Sequence, residues 1–259
     1  MVRRTRLYVS SLFSWEHPLT RRIDWDFASL FLLSSAPYYF LLALFYEISA
    51  MTIFLALTIE LTTSTLPFLL MRRLSPHNAA LRAPASTNAL LATSFTIKTY
   101  VTLFATAIFA VMTYTSLYTW LPVYLVTNFD SIRTLEHAHG AQLPVLLGMC
   151  LPLGIAAKDY LFTPSLFYAR TSLAKDFDAE TATFGETLAH NLGLTGWGVR
   201  EDVLVKRTVL LVVMQLAVAV AKIWGTIDGA ELWGALGWGG VFASAGLMTG
   251  VGYAWVGDV

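Results

Sequence analysis

The sequence predicts an all-α fold: a polytopic transmembrane bundle of about six helices, with seven if one ambiguous stretch crosses fully. Three observations predict it. Hydrophobic residues make up 56% of the 259 positions and charged residues 13%, against roughly 45–50% and 25% in soluble domains. Mean hydropathy is +0.60. The apolar residues also gather in runs close to the roughly 20 residues that cross a bilayer. This composition excludes a disordered chain and a globule with an ordinary charged surface. Lys+Arg and Asp+Glu balance at 17 each, so no basic field gathers phosphate and nucleic acid is not an expected partner. The single cysteine, Cys150, lies in an apolar run and cannot close an internal disulfide.

The chain reads as one transmembrane domain over residues 1–259. Arg3, Arg4 and Arg6 are not followed by a short apolar core with a cleavage site, so the first span serves as the targeting signal. That span is Phe27 to Tyr46, free of charge. Ile48 to Met71 is the second, with Glu60 near its centre, and Glu47 alone separates the two in a tight hairpin. Asn88 to Thr127 is too long for one crossing. It divides into a span from about Leu90 to Tyr114, carrying Lys98, and an interfacial or re-entrant piece around Trp120-Leu121-Pro122. Ala141 to Ala157, with Pro144 and Pro152, forms a short kinked fourth span. Thr208 to Ile227 is the fifth and Leu232 to Gly257 the sixth.

Charge orients the bundle. With both ends cytosolic, 14 Lys and Arg fall on the cytosolic side: Arg3, Arg4, Arg6, Arg21, Arg22, Arg72, Arg73, Arg82, Lys158, Arg170, Lys175, Arg200, Lys206 and Arg207. Only Arg133 falls in an outer loop, and the spans hold Lys98 and Lys222. This is the asymmetry that cytosolic loops carry. The extended polar stretch from Lys158 to Arg207 is a cytosolic loop expected to hold surface helices. No segment repeats, and no tract is of low complexity.

Glu60 is the most informative residue. It lies about 11 residues from the cytosolic end of its span, or ~16 Å deep. A carboxyl at that depth must face the bundle interior. It reads as a catalytic acid or proton-relay site, or as a packing hydrogen bond or ion pair. Lys98, at similar depth, is its candidate partner, or else snorkels to the interface. Lys222 and Gln215 are further polar groups in a span. A second acidic group falls at the outer end: Glu47, Asp130, Glu136, Asp228 and Glu231, beside Trp120, Tyr124 and Trp233. Glu136-His137-Ala138-His139 has the look of metal ligands, but its i,i+2 histidines lack further Cys or His nearby, so no metal is expected. Gly239, Ala243, Gly246 and Gly250 share one face of the last span. Small residues there permit close helix packing, in the bundle or in a homodimer through Gly246 and Gly250. No phosphate-binding glycine loop, G-x-S-x-G, Cys-rich site or aspartate-rich metal motif is present, and no cofactor is expected.

Thr119-Trp120-Leu121-Pro122-Val123-Tyr124-Leu125-Val126, Phe129-Asp130, Leu135-Glu136-His137-Ala138-His139, Leu143-Pro144-Val145-Leu146-Leu147 and Leu151-Pro152 together resemble small polytopic proteins of filamentous fungi. Among these are integral-membrane terpene cyclases of meroterpenoid pathways. The resemblance implies an enzyme that protonates an epoxide or terminal olefin of a linear prenyl chain and guides the carbocation to a fused ring system. It implies Glu60 and Asp130 as acids, with Glu47 and Glu136 behind them. Trp120, Tyr124, Lys98 and Trp233 would then contact a lipophilic substrate, in an endoplasmic reticulum membrane. Two other readings compete: a proton-coupled transporter with Glu60, Lys98 and Lys222 along its path, and a non-catalytic membrane scaffold.

Overall fold

A computed structural model of the chain describes residues 18–71, 94–130, 132–136, 140, 142–165 and 199–256. The fold is all-helical, with no strand among these residues. Seven helices follow in order. They are α1 (Pro18–Phe45), α2 (Ala50–Met71), α3 (Phe95–Tyr118), α4 (Leu121–Asn128), α5 (Leu143–Ser165), α6 (Val199–Thr226) and α7 (Leu232–Val256). Five of them, α1, α2, α3, α5 and α6, are long and apolar enough to cross a membrane. The seven glycines of α7 lower its apolar content, although it has the length of a span.

Local chemistry sets several boundaries. Pro18 opens α1, and Pro122 and Pro144 sit in the first turns of α4 and α5, where a missing N–H costs nothing. Ser49 caps α2: its hydroxyl accepts from the Thr52 N–H at 3.3 Å and pairs with the Thr52 hydroxyl at 2.7 Å. The corner before it is tight enough that Glu47 takes φ 54°. At eight residues α4 is only about 12 Å long, shorter than the hydrocarbon core of a bilayer.

Three helices are longer than the sequence predicts: α1 begins at Pro18 and not at Phe27. The fourth span continues past Ala157 through a π turn, Lys158–Phe162, to Ser165. The fifth begins at Val199, so Arg200, Lys206 and Arg207 belong to α6 and not to a connecting loop. The remainder of the expected loop, 166–198, lies outside the described residues, as do His137 and His139.

The helices pack around α7 and α3. α6 and α7 form a long antiparallel hairpin, and α3 and α5 pack equally closely. Trp238 of α7 is fully buried between Phe45 and Phe242, with ring centroids 5.7 and 5.5 Å away. Gly154 lets α5 lie on α3: a Cβ there would meet the Thr102 carbonyl oxygen at 2.6 Å. Gly239, Gly246 and Gly250 all face α6, against Ala219, Gln215 and Thr208. Of the two expectations for this face, packing within the bundle describes these contacts.

The connections gather at two ends. At one, the Arg133 and Thr134 N–H groups donate to the Phe45 carbonyl at 3.2 and 3.4 Å. The Asp130 N–H donates to the Gly229 carbonyl at 2.9 Å and the Glu231 N–H to the Asn128 carbonyl at 3.0 Å. The connections after α1, α4 and α6 thus share one end. Two arginines of α6 tie the other end together. Arg200, buried, donates to the Tyr253 carbonyl in the last turn of α7 at 3.1 Å. Arg207 donates to the Tyr160 carbonyl inside the π turn at 2.9 Å and to Asp26 of α1 at 3.0 Å. Helix ends and π turns free carbonyls from their usual partners, and these side chains supply donors.

Candidate functional site

The most polar place inside the bundle is where α1, α2 and α6 meet. Glu60 of α2 and Lys222 of α6 form an ion pair through Oε1 and Nζ. The Tyr39 hydroxyl of α1 donates to Glu60 Oε2 at 2.6 Å. Lys222 Nζ also donates to Ser35 Oγ at 3.3 Å. Three α1 rings surround the ammonium: Phe31 at 5.4 Å, Tyr38 at 5.7 Å and Tyr39 at 5.3 Å from its nitrogen. Aromatic faces stabilise a cation removed from water. Thr226 extends the network, donating to the Lys222 carbonyl at 2.5 Å and lying 3.4 Å from the Tyr38 hydroxyl. The side chains of Lys222 and Glu60 are 21% and 31% exposed, so the pair is not sealed by this chain alone.

A buried charge needs a partner, and the expectation of an ion pair at Glu60 rests on that. Its partner is Lys222 and not Lys98. α3 begins at Phe95, so Lys98 stands exposed in the first turn, at an end of the bundle. With one carboxylate oxygen on Lys222 and the other on Tyr39, Glu60 joins three helices.

A second polar link lies deeper. Pro37 has no N–H, so the Leu33 carbonyl four residues earlier has no donor within α1. Gln215 of α6, fully buried, donates to that carbonyl at 3.2 Å. Gly246 of α7 makes room for it, since a Cβ there would lie 2.7 Å from Gln215 Oε1. The sequence marks Gln215 as a polar residue in a span, but not what it bonds. The signal was present: a proline inside a span leaves a carbonyl that some neighbour must satisfy.

The remaining candidates sit at the end formed by the short connections. Glu47 and Asp130 are exposed there, and Glu136 is too, with its N–H on the Thr134 hydroxyl at 3.1 Å. Trp120 and Tyr124 are in edge contact at 5.5 Å, and the Tyr124 hydroxyl donates to the Trp233 carbonyl at 2.6 Å. The rings of Trp120 and Trp233 point outward, 45% and 65% exposed. Asp130 and Arg133 border a hollow of about 380 Å³ with Val126, Phe129, Ile132, Thr134 and Leu135. Glu60 is ten residues beyond the start of α2, about 15 Å along its axis. Glu60 and Asp130, the two acids that the resemblance implies, are therefore in separate places. Among the described residues, no three His, Cys, Asp or Glu side chains cluster as metal ligands.

Fold and site together define a multi-pass helical membrane protein in which Glu60, Lys222 and Gln215 each bond to other helices of the same chain. Residues 94–249, from just before α3 to the penultimate turns of α7, match the model of the bouquet formation protein 3 C-terminal domain. The match spans more than half of the chain, and the chain belongs to that family. No curated protein and no solved structure matches it.

This finding overturns the expected terpene-cyclase function and its place in meroterpenoid biosynthesis. The stretch from Thr119 to Pro152 that suggested it lies within the segment matched by the bouquet family. A small apolar bundle with intramembrane acids and interfacial aromatics is a generic membrane pattern, and in this chain the acid of α2 pairs with Lys222 and Tyr39. The transporter reading has no support either.

Proposed function

We propose that the chain is a non-catalytic membrane subunit of the nuclear envelope that serves bouquet formation, the meiotic gathering of telomeres. The observation that carries this reading is the family match over residues 94–249. The packing of the bundle supports a scaffolding role, because Glu60, Lys222 and Gln215 each engage other helices of the same chain.

In this reading the chain crosses the membrane six times, with α7 as the sixth span and α4 lying at the surface. Both ends then face the cytosol or nucleoplasm. The grouping of the short connections at one end supports this, as does the 14-to-1 distribution of basic residues. The nuclear envelope is continuous with the endoplasmic reticulum, so insertion there delivers the chain to its site.

The test is imaging in meiotic cells of the source organism. A fluorescent fusion is expected to mark the nuclear rim, and deletion of the chain to scatter the telomere cluster. A fusion confined to another membrane, or clustering that persists after deletion, overturns the proposal.

A further inference from the structure

The hollow beside Asp130 carries one acid and one base, and the fold holds them apart. Asp130 and Arg133 border its space of about 380 Å³, with Val126, Phe129, Ile132 and Leu135 as its apolar lining. Both charged residues are exposed, and neither has an ion-pair partner among the described residues. Different parts of the bundle fix their backbones. The Asp130 N–H donates to the Gly229 carbonyl, between α6 and α7, and the Arg133 N–H to the Phe45 carbonyl at the end of α1. A ligand that meets both charges therefore finds their attachment points already placed, which lowers the cost of ordering them.

The depth of the hollow narrows the ligand. Val126 belongs to α4, and the other lining residues to the connection that follows it. Trp120, just before α4, and Trp233, in the first turn of α7, turn their rings outward at this same end. Tryptophans take that position at the level of lipid headgroups. Opposite charges beside an apolar lining, at that level, match a molecule with a charged head and a hydrocarbon tail.

We propose that this hollow binds the headgroup of phosphatidylethanolamine, with its phosphate on Arg133, its primary ammonium on Asp130 and its glycerol end against the apolar lining. A guanidinium grips phosphate through two parallel N–H bonds. A primary ammonium has three N–H donors to offer a carboxylate. A choline headgroup has none and is recognised by aromatic faces, whereas the one ring in this lining, Phe129, is 3% exposed. A serine headgroup would bring a second carboxylate beside Asp130, and like charges repel. One base and one acid thus select a zwitterion that can donate hydrogen bonds. The inference uses the hollow alone and stands independently of the bouquet assignment.

The test is native mass spectrometry of the full-length chain released from nanodiscs made of equal parts dioleoyl phosphatidylethanolamine and dioleoyl phosphatidylcholine. The unmodified chain is expected to keep one ethanolamine lipid, roughly fivefold or more in excess over the choline lipid. Asp130→Asn and Arg133→Gln should each lower that adduct by a similar factor. Lys98→Gln, which removes an exposed charge at the other end, should leave it unchanged. Thermal unfolding is expected to show all three variants as well folded as the parent. Excess glycerophosphoethanolamine, the headgroup without acyl chains, should not displace the lipid. Equal retention of both lipids by the unmodified chain, an adduct that survives Asp130→Asn and Arg133→Gln, an equal loss with Lys98→Gln, or displacement by the soluble headgroup overturns the proposal.

Discussion

The carbonyl of Leu33 has no donor in its own helix, and that single vacancy explains a buried glutamine on another. Replacing Gln215 with Leu is expected to cost about 1 kcal/mol, in the range of hydrogen bonds between membrane helices. In a Pro37→Ala background the regained N–H serves Leu33, and the same replacement should cost much less. Unfolding in detergent of the two single variants and the double variant measures the coupling; equal costs in both backgrounds would show that the glutamine serves something else. The ion pair gives a second prediction. Glu60→Leu strands an ammonium, and we expect a loss of about 2 kcal/mol, below the 3–5 kcal/mol of a fully buried pair because this one is partly exposed. Glu60→Leu with Lys222→Met should recover most of it, as the same unfolding assay will report. That Glu60 needs a partner was legible in the sequence. Which partner was not: periodicity gives depth along a helix but not which helices are neighbours. The start of α3 at Phe95 then moves Lys98 to a bundle end.

At the level of elements, the central apolar runs were legible because each is long and lacks charge. Their ends were not. α6 carries Arg200 and Arg207 inside its first turns, and composition alone assigns such residues to a polar loop. Their bonds to the free carbonyls of Tyr253 and Tyr160 keep the helix going. Arg207→Met should leave the π turn of α5 without its donor, so backbone hydrogen exchange over 158–165 is expected to rise while that of α7 stays unchanged. The crossing of α3 on α5 makes another prediction. Gly154→Leu puts carbon into the Thr102 carbonyl and the Thr106 side chain, and is expected to destabilise by at least the 1–3 kcal/mol typical of overpacking. Thermal unfolding checks it; a change within about 0.5 kcal/mol would mean that the two helices part easily.

For the whole molecule, the class was legible and the function was not. Fold class follows from hydropathy, which acts on every residue. The bouquet assignment rests on residues 94–249 as a pattern, and no local motif within it has a chemistry to be recognised. Topology remains measurable. Glu47→Cys, Asp130→Cys and Asp228→Cys are expected to react with an impermeant maleimide from one side of the membrane, and Glu201→Cys from the other. Labelling of Asp130→Cys and Asp228→Cys from opposite sides would refute the six-span arrangement. The Glu60–Lys222 pair also has a consequence in time. The two residues are 162 positions apart in the chain. At about 5–20 residues per second, a ribosome needs roughly 8–30 s to travel from one to the other. For that interval Tyr39 is the one partner of the finished site already made for Glu60, and Lys222 becomes available only with α6.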